Sequence, residues 1–344
     1  MRPEYQLLFA SVRQDFQEPH RQVVFELSRR HNLDWELVFT LAREHGVAPL
    51  LYLNLVPLAA AGLPLPTGFQ SRLQHYCARI TILKEQRARQ LSQALAYLNA
   101  QSIDVMLVKG VASDLLVYHH PWYTFSNDMD IVLKKRREQF APEALQDLLH
   151  QLNIANLEYD FYEHHDLNIN GALPVDFDSI WREAVPVDYR GARAYVMPPE
   201  DLLIGACINS CRKRYFRLKS LCDIAETVRH FPGLSWERLV AKVGAYDCRA
   251  IVYTALLVSD RTLGCSLPPG ALAALGVGPV RRAFIGAIVS LLLQGPSVAS
   301  YPFAGVRVFN REVNLAVLLP YATYRGYQIQ HKIDELRETG QRQA

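Results

Sequence analysis

Two aspartates one residue apart, Asp128 and Asp130, open the apolar run "MDIVL" inside the stretch "TFSNDMDIVL" (124–133). Alternate residues of an extended chain share a face, so both carboxylates project the same way. Like charges held side by side repel and lose hydration, so the pair calls for a cation between them. A D-x-D pair alone is common, and Asp176 and Asp178 form a second one in "ALPVDFDSI". Order gives the first pair its meaning. Ahead of it come the apolar run "DVMLV" (104–108), then Lys109-Gly110, then "VASDLLVYHH", which reads as a helix. A glycine-bearing turn at a helix N-terminus lets backbone amides approach an anion, and the lysine adds fixed positive charge. Carboxylates for a metal and a cradle for phosphates are what phosphoryl transfer from a nucleoside triphosphate needs. A third carboxylate would hold a second metal or take the proton of the attacking hydroxyl, and Asp176 and Asp178 are the candidates.

The elements that must position these groups follow from periodicity and turn chemistry. Residues 1–101 read as a helical region. Asp34 is a fitting N-cap for "WELVFTLAREHGV", and Thr67 and Gln70 stand at capping-box spacing before a long helix. That helix has Phe69, Leu73, Tyr76, Ile80 and Leu83 on one face, with "KEQRARQ" (84–90) read as a solvated face. Residues 102–197 change texture, with short β-forming runs alternating with helix patterns at 111–120 and 142–152. Asn170-Gly171 is a two-residue hairpin signal between "LEYDFYEHHDLNI" and "ALPVDFDSI". His164 and His165 suit a metal or acid–base role or a structural place equally; in that hairpin Ile169 pairs with Ala172, which sets His165 opposite Asp176. Residues 198–344 read as helical again, with breaks near 267–270, 276–280 and 295–297. The expected fold class is α+β, a small mixed sheet flanked by N-terminal and C-terminal helical blocks.

Composition narrows the function classes. The chain has 344 residues, half of them hydrophobic, and a formal net charge of only +3, so no global basic field marks a nucleic-acid binder. The basic run "RKRYFRLK" (212–219) suits an anionic group or a solvated helix face. "AFIGAIVSLLL" (283–293) is too short to span a bilayer and reads as a buried helix. The N-terminal stretch is broken by charges, and the six cysteines form no dense framework. A reduced, cytoplasmic protein without a membrane segment is expected.

Taken together, "LVKGVASDLL", "NDMDIVL", "VDFDSIW" and "RLKSLCDIAETV" resemble the uncharacterised bacterial nucleotidyltransferase family of the DNA polymerase β-like superfamily. The likeness runs from about residue 20 to about residue 240 and includes "LAREHGVAPLLYLNL". It implies a nucleotidyltransferase core and transfer of a nucleoside monophosphate from an NTP, with ATP as the expected nucleotide and pyrophosphate as product. By the same resemblance Lys109 and Gly110 line the triphosphate, and Asp128 and Asp130 hold Mg²⁺, two ions being expected. Asp176, in the V-D motif, becomes the third acid. Lys219 and Asp223, four apart on one helix, order that helix or touch the nucleotide. The sequence departs from the family at Thr124, where an arginine is usual, and at Asp178, where a histidine is frequent. The expected acceptor is a hydroxyl or phosphate of a small molecule or peptide. A toxin-like enzyme acting on tRNA, and a degenerate fold that binds a nucleotide or protein partner without chemistry, are the alternatives.

Overall fold

The structure, a computed structural model, describes residues 1–294 except 127, 137–141, 152, 153, 155 and 216. The break expected at 295–297 and the rest of the C-terminal region lie outside the described residues.

Helices α1 (Pro3–Ser11), α2 (Glu18–Arg30), α3 (Trp35–Glu44), α4 (Ala48–Ala60) and α5 (Thr67–Ala100) precede the first strand. Asp34 caps α3 as expected, its carboxylate accepting the Leu37 N–H at 2.9 Å. Thr67 does not cap α5. It is the first helical residue, and Pro66 stands at the cap without a side-chain bond, because proline's fixed φ starts a helix on its own. The 34 residues of α5 run from α3 and α4 to the sheet, burying Leu91, Leu95 and Leu98 beside β1 (Val105–Leu107) and β5 (Ala192–Val196).

The sheet is small and mixed, in the order β3-β2-β1-β5-β4. β1 runs antiparallel to β2 (Met129–Leu133) and parallel to β5, while β2 runs parallel to β3 (Leu157–Phe161). All five residues of β2 are buried, as its unbroken apolar texture requires of a strand covered on both faces. α6 (Lys109–Leu116) joins β1 to β2, and α7 (Pro142–Gln151) lies between β2 and β3.

The hairpin expected at Asn170-Gly171 does not form. Asp160 accepts from the His165 N–H at 2.9 Å and lies 3.1 Å from His164 Nδ1, while the Asn168 side chain accepts the Gly171 N–H at 3.0 Å. These local bonds fold 164–173 into turns and outcompete strand pairing. "FDSIWRE" is helix α8 (Phe177–Glu183), with Asp176 as its N-cap. The hairpin lies further on, where β4 (Val185–Tyr189) turns through Arg190 and Gly191 into β5. Both turn residues have positive φ, 54° and 86°, as a tight two-residue loop demands. Pro186 sits on β4, an edge strand that tolerates a missing donor.

α9 (Pro199–Arg212), α10 (Leu218–His230), α11 (Trp236–Ala245) and α12 (Arg249–Leu263) pack into a second helical layer. α13 (Ala271–Ala274) and α14 (Pro279–Gln294) follow. The stretch expected to be buried, 283–293, lies in α14; among its described side chains Ile285 and Val289 are covered, whereas Phe284 is exposed. No described helix is long and apolar enough to cross a membrane. The fold is the expected α+β class.

Candidate active site

The turn after β1 is where the chain's chemistry gathers. Val108, the N-cap of α6, is extended, and its N–H bonds to the Asp130 carbonyl at 3.2 Å. Lys109 then takes φ 50°, an uncommon conformation for a residue with a side chain. Its Nζ reaches Asp130 Oδ1 at 2.5 Å and also contacts the Asp166 carboxylate, which in turn contacts the Arg212 guanidinium. Burial works against the lysine's charge, but Asp130 and Asp166 raise its pKa above the ordinary value. Burial likewise opposes the charge of Asp166, and Lys109 and Arg212 hold its carboxyl below the usual range.

Asp128 is exposed at the mouth of β2, and Asp130 is 6% exposed one step inside. On the neighbouring strand Glu158 stands in register with Asp130, which places both side chains on one face of the sheet. Burial, then the charges of Asp130 and Asp128, push the Glu158 carboxyl upward. This face therefore holds unneutralised negative charge, and an ammonium is already seated on its most buried carboxylate. The donors are all hard carboxylate oxygens, which suit Mg²⁺, an ion bound by one or two protein carboxylates with phosphates and water completing the shell. Among the described residues no group of three or more His, Cys, Asp or Glu is arranged to hold a metal. The residues thus fit an ion shared with a phosphate, with Glu158 on the same face and Asp166, the other carboxylate in contact with Lys109, as the further carboxylates nearby.

Asp176 was the expected third acid, and the structure takes it elsewhere. It accepts the Ser179 N–H at 2.9 Å as the cap of α8. It lines an open cavity of about 480 Å³ with Arg136, Tyr162, His165 and Asp178. Tyr162 donates its hydroxyl to Asp178, and its N–H bonds to the Leu133 carbonyl at the far end of β2. A five-residue strand, roughly 13 Å long, separates that end from Asp128. His165 and Asp176 share this cavity through turns, not through strand pairing. His164 is buried, with its Nδ1 3.1 Å from Asp160, and lines a cavity with Lys109 and Asp166.

Lys219 and Asp223 form a buried ion pair at 2.7 Å on α10, and Tyr118 donates to the other Asp223 oxygen at 2.8 Å. A Cβ on Gly110 would lie 4.0 Å from Lys219 Nζ and 3.4 Å from the Ser126 Cβ, so the pair sits under the Lys-Gly turn. Thr124 is fully buried, and its hydroxyl has no partner among the described residues.

The helix face read as solvated is the wall of a cavity of about 350 Å³ that opens beside Asp128. Lys84 of α5 pairs with Asp114 and donates to the Pro121 carbonyl at 2.6 Å. Arg190 grips Glu85 through two bonds of 2.6 and 2.8 Å. Arg87 lies over the Phe125 ring, donates to the Ser126 carbonyl at 2.9 Å and feels the Asp128 charge. Gly110, Trp122, Met129 and Tyr189 complete the walls. Asp166, Glu158 and Arg87 are the residues that sequence reasoning missed. Only Glu158 left a usable trace, as an acid inside a run already read as a strand.

A family model described as "Uncharacterised nucleotidyltransferase" matches residues 31–264. No curated protein and no solved structure matches the chain.

Proposed function

Because the chain belongs to this family of uncharacterised nucleotidyltransferases, we propose that it transfers a nucleoside monophosphate from a Mg²⁺-bound NTP, with ATP the nucleotide to test first. The acceptor is a hydroxyl or phosphate oxygen of a small molecule or peptide. One observation carries the reading: the Lys109–Asp130 pair at 2.5 Å, which joins the Lys-Gly turn to the D-x-D strand. Turn and acids form one polar group, as binding a triphosphate and its counter-ion requires.

In this reading Asp128 and Asp130 would hold the ion, which would supply positive charge against the negative charge that develops in the reaction. The Lys109 ammonium would supply positive charge to the triphosphate, and the buried Lys219–Asp223–Tyr118 group braces the turn beneath Gly110. An acceptor oxygen attacks the α-phosphorus, the bond to the bridging oxygen breaks and pyrophosphate leaves. Glu158 takes the acceptor's proton. It stands in register with Asp130 on the same face of the sheet, which places a carboxylate beside the ion's ligands.

The test uses ATP labelled at the α-phosphate, Mg²⁺ and a metabolite and peptide extract as acceptor source. Label should move to an acceptor with stoichiometric pyrophosphate. Glu158→Gln should keep Mg-ATP binding while losing transfer by about a hundredfold or more, the scale of general-base catalysis. Mg-ATP binding without pyrophosphate release from any acceptor would leave a nucleotide-binding protein and remove the transferase reading.

A further inference from the structure

Asp166 has no part in the reaction as described, yet it touches the lysine that does. Lys109 Nζ contacts two carboxylates, Asp130 and Asp166. The two acids differ in their other neighbours. Asp130 faces the side of the sheet where Asp128 and Glu158 gather. Asp166 faces Arg212, the last residue of α9, and belongs to the compact turns that Asp160 anchors through His164 and His165. All four partners are at least about three-quarters buried, with 19% of the Lys109, 9% of the Asp130, 23% of the Asp166 and 26% of the Arg212 side chain exposed. Their mutual attractions are therefore only partly screened by water.

A divalent ion arriving on Asp130 changes the balance for the lysine. Two cations on one carboxylate repel, so the Lys109–Asp130 contact weakens as soon as the site is loaded. A lysine has four rotatable side-chain bonds and would otherwise swing into solvent. Asp166 supplies a second anion to the ammonium, and its contact with Arg212 holds that anion in place.

We propose that Asp166, pinned by Arg212, is a positioning residue that retains the Lys109 ammonium at the Lys-Gly turn when a metal-bound nucleotide takes over Asp130. This rests on the reading of Lys109, Asp128 and Asp130 given above. Without Asp166 the lysine leans on Asp130 alone, and metal and lysine then compete for one carboxylate.

A double-mutant cycle between Lys109→Met and Asp166→Asn tests this by calorimetry, with Mg-ATP affinity read as a function of Mg²⁺ concentration. Asp166→Asn should raise the Mg²⁺ needed for half-maximal ATP binding by roughly tenfold, within the range of couplings between contacting residues. On the Lys109→Met background the same substitution should have almost no effect. Asp166→Glu should recover most of the affinity, and Arg212→Gln should shift the Mg²⁺ requirement in the same direction as Asp166→Asn. Equal effects of Asp166→Asn on both backgrounds, as independent sites give, would overturn the proposal while leaving the transferase reading intact. The same cycle on urea stability separates a purely structural tie: coupling in stability with none in Mg²⁺ requirement also overturns it. Failure of the wild-type protein to bind Mg-ATP would remove the reading beneath it and this proposal together.

Discussion

Asp130 and Asp176 carry the same carboxylate, and their neighbours set it different tasks. Asp130 meets an ammonium at the mouth of a buried strand, while Asp176 meets a backbone N–H at the start of α8. A capping role predicts a definite pattern of substitution. Asparagine caps as well as aspartate does, whereas alanine cannot, so Asp176→Asn should leave stability nearly unchanged and Asp176→Ala should cost about 1 kcal/mol. Urea unfolding measures both, and equal losses would show that the cap is not what Asp176 contributes. The D-x-D pair, Lys109 and Gly110 were legible because their order along the chain is also their order around the turn. Asp166 was not, since nothing in "EHHDLNI" shows that its turns bring the acid back to Lys109, 57 positions earlier. Glu158 became visible only through the register of β2 and β3.

At the scale of elements, the turn after α3 ties three parts of the site together. His45 Nδ1 accepts the Leu218 N–H at 3.2 Å, and its carbonyl accepts from Lys219 N–H at 3.2 Å. The Gly46 carbonyl accepts from Phe125 N–H at 3.0 Å. Gly46 has φ 72°, and a Cβ there would come within 2.8 Å of the Phe125 carbonyl, so no other residue fits without displacement. The histidine makes this junction sensitive to acid. Burial, then the Arg217 charge, lower its pKa from 6.5 to about 4. The unfolded chain takes up a proton as pH falls through 6.5, while folded His45 stays neutral until about pH 4. Stability is therefore full above pH 6.5 and lost progressively between there and pH 4, by on the order of 3 kcal/mol. The difference in urea stability between wild type and His45→Gln should shrink or reverse over that window. A difference independent of pH would contradict the neutral histidine. The helices of this region were legible from capping and periodicity, as Asp34 shows. The hairpin was misplaced because Asn170-Gly171 carries the stronger turn dipeptide, while Arg190-Gly191 carries the alternating runs on either side. Local side-chain bonds from Asp160 and Asn168 decided between them.

At the scale of the whole molecule, one continuous core joins the helical parts to the sheet, from Leu7 of α1 through Ile131 of β2 to Val258 of α12. All six cysteines are free and buried within it, and burial pushes Cys77, Cys211, Cys248 and Cys265 up to about 12. A buried neutral thiol is inert, so a thiol reagent should label none of them in the native protein within minutes and all six in denaturant. Rapid labelling of one or more under native conditions would show that the core opens locally. The overall plan, a small sheet among helices, could be read from the alternation of textures along the chain. The cavity beside Asp128 could not, because Lys84 and Arg87 look like any charged helix face until α6 and the segment before Ser126 are laid against them. The central claim remains that Asp128 and Asp130 hold the cation of a bound nucleotide. Asp128 is the cleaner position to change, being exposed and outside the Lys109 contacts. The decisive measurement is calorimetric titration of ATP into wild type and Asp128→Asn, each with Mg²⁺ and with chelator. The account predicts Mg²⁺-dependent binding that Asp128→Asn weakens by about tenfold or more at an unchanged melting temperature. ATP affinity that ignores both the chelator and the substitution would contradict it.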